Sequence, residues 1–178
     1  MTCHSRLTIK VCGMREAGNI LAVQQLDIDW IGFIFYPPSP RHVSGDAAAE
    51  AIRRCTRTKV GVFVDAGISA MVATAEYYGL DCVQLHGNES PETCLSMQTR
   101  GYSVVKAFSV ATAGDLQRTK AYEAAADCFL FDTKCEGFGG SGRRFDWSAL
   151  HGYDGRTPFL LSGGLAPGCE DELLQLRH

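Results

Sequence analysis

Five residues able to do acid–base or nucleophilic chemistry stand where short apolar runs end. They are Cys12 after Ile9-Lys10-Val11, Asp65 after Val62-Phe63-Val64, His86 after Val83-Gln84-Leu85, Asp132 after Phe129-Leu130-Phe131, and Ser162 before Gly163-Gly164. A thiol serves as a base once ionised, and an imidazole or carboxyl can hold or pass a proton near neutral pH. Each also has a plainer reading. A Cys on an apolar strand is ordinarily a packing residue, and a His before Gly can simply satisfy a loop carbonyl. Asp132 is harder to set aside. An acid following three apolar residues must find a partner or carry a raised pKa, because burial disfavours its charged form. Thr133 and Lys134 come next, so a structural ion pair is the alternative there.

The elements that must position these residues are seven apolar runs: Thr8–Cys12, Trp30–Phe35, Lys59–Val64, Cys82–Leu85, Ser103–Phe108, Cys128–Phe131 and Pro158–Leu161. Each is rich in Val, Ile, Phe or Leu with little alternation, as expected of strands buried on both faces. Their near-regular spacing fits a strand, a turn, a helix and a return loop, repeated. Helical stripes follow the first run (Ala17, Ile20, Leu21, Ala22, Leu26) and the third (Ile68, Met71, Val72, Ala75, Leu80). Ser90-Pro91-Glu92 is a helix start with a capping hydroxyl, and Ala166-Pro167 is read as opening the helix after the seventh run. A weak internal repeat places an Asp before strands two, four and six, at Asp29, Asp81 and Asp127.

Serial βα units with apolar strands mean a parallel sheet covered by helices. No Gly-x-Gly-x-x-Gly follows the first run, which weakens a dinucleotide-binding sheet, and the near-uniform period favours an α/β fold of the (β/α)8 barrel type. In such a fold the C-terminal strand ends carry the active site. Period-two alternation puts Lys10 with Cys12, and Gln84 with His86, on one side of their strands. Convergence of several such ends, rather than any single residue, is the functional signal.

Two glycine-rich turns and one stiffened loop complete the set. Gly137-Phe138-Gly139-Gly140-Ser141-Gly142 and Ser162-Gly163-Gly164 follow the sixth and seventh runs. Gly allows close backbone approach and bare N–H groups, the features that cradle a phosphate, and barrels commonly hold phosphate after strands 7 and 8. A simple tight turn is the alternative. In Tyr36-Pro37-Pro38-Ser39-Pro40-Arg41-His42 three prolines stiffen a loop that could hold Arg41, whose planar fork suits a carboxylate. A solvated surface Arg is the alternative there.

Composition narrows the class. The 178 residues suit one domain, and 46% hydrophobic with 21% charged residues excludes general disorder. A formal charge of -3 without a basic block argues against nucleic acid as a partner. No apolar run approaches a membrane span, and Met1 to Arg6 lack a signal-peptide core. The eight cysteines form no CxxC pair, which leaves zinc-ribbon and thioredoxin-like readings without support. They are read as thiols in a reducing, cytoplasmic compartment. Nothing in the sequence speaks for or against homo-oligomerisation.

Taken together, the motifs resemble the phosphoribosylanthranilate isomerase family of tryptophan biosynthesis. The pieces are Lys10-Val11-Cys12-Gly13-Met14-Arg15, Gly32-Phe33-Ile34-Phe35 with Ser39-Pro40-Arg41, Gly61-Val62-Phe63, Gln84-Leu85-His86-Gly87, Phe131-Asp132-Thr133, Gly139-Gly140-Ser141-Gly142 with Phe145-Asp146-Trp147, and Ser162-Gly163-Gly164-Leu165. Each is loose alone, but all seven occur in order over nearly the whole chain. The resemblance implies a rearrangement of a sugar-phosphate aminoaldose to an aminoketose, needing no metal or cofactor. It implies Asp132 as general acid, Cys12 as general base, Arg41 on the anthranilate carboxylate, and His86 shaping the site near Cys12. Gly140, Ser141, Gly142, Gly163 and Gly164 would serve the phosphate. Those roles require an Asp132 pKa raised above about 4, and a Cys12 pKa lowered from about 8.5 by Lys10 or Lys106.

Rival readings are weaker. An indole-glycerol-phosphate synthase would be expected to place Lys and Glu where this chain has Cys12 and Asp132. A pentose-phosphate epimerase would need a metal-binding set of His and Asp, and the strand ends offer one His. A non-catalytic sugar-phosphate binder would not need both Cys12 and Asp132. Against a barrel, whose usual range begins near 200 residues, this sequence is short, and no segment remains for an eighth strand and helix. The expectation is therefore a single barrel domain over residues 1–178, incomplete at its C-terminus, with weak or no activity unless a second chain closes it.

Overall fold

The computed structural model describes residues 7–133 and 146–176. Seven strands alternate with helical segments: β1 (Lys10–Cys12), β2 (Trp30–Ile34), β3 (Thr58–Phe63), β4 (Cys82–Leu85), β5 (Ser103–Val110), β6 (Cys128–Thr133) and β7 (Phe159–Leu161). Strand order is chain order. The pairs β1–β2 and β2–β3, and likewise β5–β6 and β6–β7, run parallel. The chain divides into two compact units, Met1–Gln84 and Leu85–His178.

Burial on both faces explains the unbroken apolar runs. All four residues of β4 are buried, as are Val60–Phe63 of β3 and Phe129–Thr133 of β6. The first unit centres on Ile20, Ile31, Phe33, Ile52, Val60, Phe63 and Met71. The second is built on rings: Phe131 lies 5.0 Å from Phe159 and 5.4 Å from Tyr153, and Phe108 meets Phe129 edge-on at 5.2 Å. Tyr153 can sit in this cluster because its hydroxyl donates to Glu123 and to the Thr157 carbonyl. That position pushes the phenol well above its usual pKa, chiefly by burial and then by the Glu123 carboxylate.

The helices are α1 (Ala17–Val23), α2 (Asp46–Arg53), α3 (Ile68–Tyr78), α4 (Pro91–Gln98) and α5 (Glu170–Gln175). The expected start of α4 is present: Ser90 accepts from Thr93 N–H, with Pro91 at the first helical position. After β5 and β6 the return segments are 3₁₀ turns, Ala113–Tyr122 and Trp147–Gly152. The first opens on a Thr112/Asp115 capping box and buries only Leu116 and Thr119, too narrow a stripe to drive a regular α-helix. The last helix begins later than Pro167 suggested. Gly168 takes φ +94°, which breaks the helical path and moves the start to Glu170.

The Asp repeat is a structural device. Asp29, Asp81 and Asp127 each accept the backbone N–H at the start of the preceding strand: Ile9 at 2.8 Å, Lys59 at 2.8 Å and Val104 at 2.7 Å. In return, the Asp N–H groups donate to the carbonyls of Ile9, Lys59 and Val104. Three strand pairs thus have their register clamped at the N-terminal rim, the end of a barrel concerned with stability. Asp127→Ala is expected to cost about 1.5–3 kcal/mol, the range for a hydrogen bond to a charged group. Denaturant unfolding should show this as a lower midpoint with an unchanged slope.

Candidate active site

In the first unit, β1 ends on Cys12 and the chain turns at Gly13, whose φ is +93°. The N–H groups of Gly13 and Met14 both donate to the Gly32 carbonyl on β2, fixing this turn. Lys10 and Cys12 share one side of β1, as alternation requires. A Cβ on Gly32 would lie 2.6 Å from Cys12 Sγ and 3.1 Å from Lys10 Nζ, so the bare glycine makes room for thiol and ammonium together. Arg41 is held rather than free on the surface. Its Nη1 donates to the Cys12 carbonyl at 3.2 Å, and the side chain lies over Gly13, where a Cβ would meet Cδ and Nη1 at 2.7 Å. The proline loop supports it: Ser39 Oγ accepts from Arg41 N–H, and Arg15 donates to the Pro40 carbonyl at 2.8 Å. Asp65, after β3, takes a left-handed φ of 50°.

In the second unit, His86 and Asp132 form a pair across the ends of β4 and β6, Nε2 to Oδ2 at 3.6 Å. Asp132 is 5% exposed, and its Oδ1 accepts the Thr133 N–H at 2.9 Å. Burial alone would raise this carboxyl. Hydrogen bonding and charge from His86, the Thr133 N–H and the Ser162 side chain outweigh burial and hold it below the ordinary carboxylate value. The expected raised pKa is therefore corrected: Asp132 rests as a carboxylate because a partner distant in sequence stabilises its charge.

Gly163 and Gly164 follow β7 with φ +88° and +70°. A Cβ on Gly163 would overlap Thr133 Oγ1 and lie 3.1 Å from Asp132 Oδ1, so glycine here lets the turn close over the β6 end. The Ser162 N–H donates to the Phe131 carbonyl at 2.8 Å, continuing the β6–β7 pairing to the Gly turn. Gly140, Ser141 and Gly142 lie outside the described residues.

One constellation had been missed. Lys106, in the middle of β5 and 1% exposed, donates to the carbonyls of Leu85 (3.0 Å) and Gly87 (2.8 Å) and to Glu89 Oε2 (3.0 Å). The sequence offers either Lys10 or Lys106 as a cation for Cys12. The Lys106 ammonium is neutralised by Glu89 and committed to the β4 loop, and Lys10 is the cation set beside Cys12 on Gly32. The usable signal was Lys inside Val-Val-Lys-Ala-Phe, which demands a buried counter-charge. The described cysteines are free thiols, and Cys94 is pushed up to about 11, mainly by burial, as an inert core thiol should be. Among the described residues no group of three or more His, Cys, Asp or Glu could hold a metal ion, and no helix is long and apolar enough to cross a membrane.

Parallel βα units in series, with thiol, imidazole, carboxylate and guanidinium at strand ends and paired glycines after β7, define an enzyme of the (β/α)8-barrel class. Residues 9–177 match the model of the N-(5'-phosphoribosyl)anthranilate (PRA) isomerase family, and the chain belongs to that family. It is 54% identical to the N-(5'-phosphoribosyl)anthranilate isomerase of Parabacteroides distasonis, with 97% of this chain and 79% of the relative covered. To that of Phocaeicola vulgatus it is 48% identical, over 97% of this chain and 82% of the relative. The crystal structure of phosphoribosyl anthranilate isomerase from Thermotoga maritima superposes with a TM-score of 0.82 at 34% identity, covering 96% of this chain and 83% of that one. A phosphoribosyl anthranilate isomerase in complex with reduced 1-(o-carboxyphenylamino)-1-deoxyribulose 5-phosphate superposes with a TM-score of 0.79 at 31% identity, over 96% and 82% of the two chains.

Proposed function

We propose that this chain converts N-(5'-phosphoribosyl)anthranilate to 1-(2-carboxyphenylamino)-1-deoxyribulose 5-phosphate in tryptophan biosynthesis, with Asp132 as acid and Cys12 as base. The observation that carries this reading is family membership across residues 9–177. The reaction needs a proton delivered to the ribose ring oxygen as the ring bond breaks, giving an open Schiff base. It then needs a proton removed from C2′, giving an enolamine that tautomerises to the ketone. Asp132 delivers the first proton. Because its carboxyl rests ionised beside His86, the proton is stored on the His86–Asp132 pair and reaches the ring oxygen through Asp132. Substrate anions entering the site favour the protonated carboxyl, since like charges oppose its ionisation.

Cys12 takes the C2′ proton as thiolate, with the Lys10 ammonium beside it compensating the charge. Arg41, anchored on the Cys12 carbonyl, receives the anthranilate carboxylate. Gly163 and Gly164 offer backbone N–H groups to the phosphate, and Gly140, Ser141 and Gly142 are its further partners in this reading. Neither step calls on a metal or cofactor. The described cysteines are free thiols, which is in keeping with a reducing, cytoplasmic compartment. In this reading the chain acts as a single barrel domain on a small sugar-phosphate.

The substrate fluoresces. Decay of that signal on adding protein, at catalytic rather than stoichiometric protein, is the expected result. Binding without turnover would favour the non-catalytic reading. Arg41→Ala is expected to raise KM about tenfold or more with a smaller effect on kcat, because a charge-assisted bond to the carboxylate acts in ground and transition states alike.

A further inference from the structure

Lys106 and Glu89 form an ion pair in the interior, with side chains 2% exposed each, and the chemistry above uses neither. Burying two charges costs several kcal/mol per ion, and apolar residues of similar size often serve stability as well or better. Stability therefore gives little reason for the pair, whereas its contacts give a specific one. An ammonium has three donors, and those of Lys106 reach Leu85 O, Gly87 O and Glu89 Oε2. The Glu89 carboxylate also accepts the Gly87 N–H at 2.9 Å. The carbonyls of Leu85 and Gly87, the residues on either side of His86, thus converge on one cation, and the Gly87 N–H is tied to that cation's counter-ion. Two peptide groups pinned on either side of one residue fix the direction of its Cα–Cβ bond. Glu89 is itself moored from the 3₁₀ segment after β5, where Tyr122 Oη donates to its carbonyl at 2.9 Å.

We propose that Lys106 and Glu89 are positioning residues for catalysis: their buried ion pair brackets the backbone of His86 and thereby holds its imidazole on Asp132. This rests on the proposed roles of Asp132 and His86. Groups facing the bracket are Cys94 from α4, Tyr122 and the Phe108 ring 5.7 Å from Lys106 Nζ, with the Glu92 and Arg118 charges acting on Tyr122. Facing Asp132, beside His86, are the Thr133 N–H and Ser162.

The test is the Lys106→Met/Glu89→Gln variant, which removes both charges while keeping their bulk and an amide acceptor for the Gly87 N–H. His86 ring resonances are followed against pH by NMR in four proteins: wild type, Asp132→Asn, the bracket variant, and the two combined. In the wild-type background Asp132→Asn should shift the His86 ring resonances, because it removes the carboxylate facing the imidazole at 3.6 Å. In the bracket variant that response should largely disappear, with kcat down about tenfold or more and KM within about threefold. Asp127→Ala, a comparable destabilisation at the opposite rim, should leave both readouts unchanged. An undiminished His86 response in the bracket variant, or an unchanged kcat, overturns the proposal. Should the double variant not fold, Glu89→Gln is read the same way, with partial loss of the response expected and an unchanged response overturning it. Because the NMR comparison needs no substrate, failure of the bracket is separable from failure of the isomerase reading, which would appear as an inactive wild type with the His86–Asp132 coupling intact.

Discussion

Asp132→Asn should leave a folded protein whose kcat is lower by about 10³–10⁴-fold, the upper range for losing a positioned general acid. Asn keeps the shape of Asp and can still accept the Thr133 N–H, so the β6 end and the Gly163 turn over it should persist. What it cannot do is the step proposed for Asp132, passing a proton to the ring oxygen. Circular dichroism and the fluorescence decay measured on one preparation check both halves, and a variant with wild-type kcat would remove Asp132 from the mechanism. A pH signature accompanies it. The folded pKa of Asp132 lies below its unfolded value near 4, so its ionised form stabilises the protein above that value. That contribution is lost as pH falls through the folded pKa. In denaturant melts the advantage of wild type over Asp132→Asn should be full at neutral pH and shrink progressively below about pH 4.

Cys12→Ala should lower kcat by about 10³-fold or more, with KM within about threefold, because it deletes the proposed base without touching the groups proposed to bind the carboxylate and phosphate. The fold should survive, since the side chain sits at the end of β1 in space left by Gly32 and is only partly buried. Cys12→Ser separates the base from its volume: a hydroxyl fills the same place but does not ionise near neutral pH, so it should be nearly as inactive. Measurement of kcat and KM from the fluorescence decay for both variants checks this, and substantial activity in the Ser variant would rule out a thiolate base.

Much of the fold was legible because its strands are buried on both faces. A run such as Cys128-Phe129-Leu130-Phe131 has no polar phase to mistake, and β4 is found at Cys82–Leu85, as expected. The polar residues that end such runs were equally visible, so Cys12, His86 and Asp132 could be picked out before any geometry was known. The start of α5 was misjudged because Pro167 suits a first helical turn, whereas the left-handed Gly168 after it decides the path. The Asp before every second strand was seen as a repeat, yet its purpose is a bond to a backbone N–H some twenty residues upstream.

The sequence by itself determined the order of βα units, the apolar core and the chemical types at the strand ends, since these follow from local pattern and residue chemistry. Only the tertiary structure decided their electrostatics. The role implied for Asp132 required a raised pKa, and its neighbours left open either that or a partner; the fold brings His86 to 3.6 Å and the carboxyl is held down instead. Lys106 stood beside Lys10 as a candidate cation for Cys12, but the fold delivers Glu89 to 3.0 Å of its ammonium and commits it to the β4 loop. Charge interactions depend on distances between residues far apart in the chain, and local pattern carries no information about those distances.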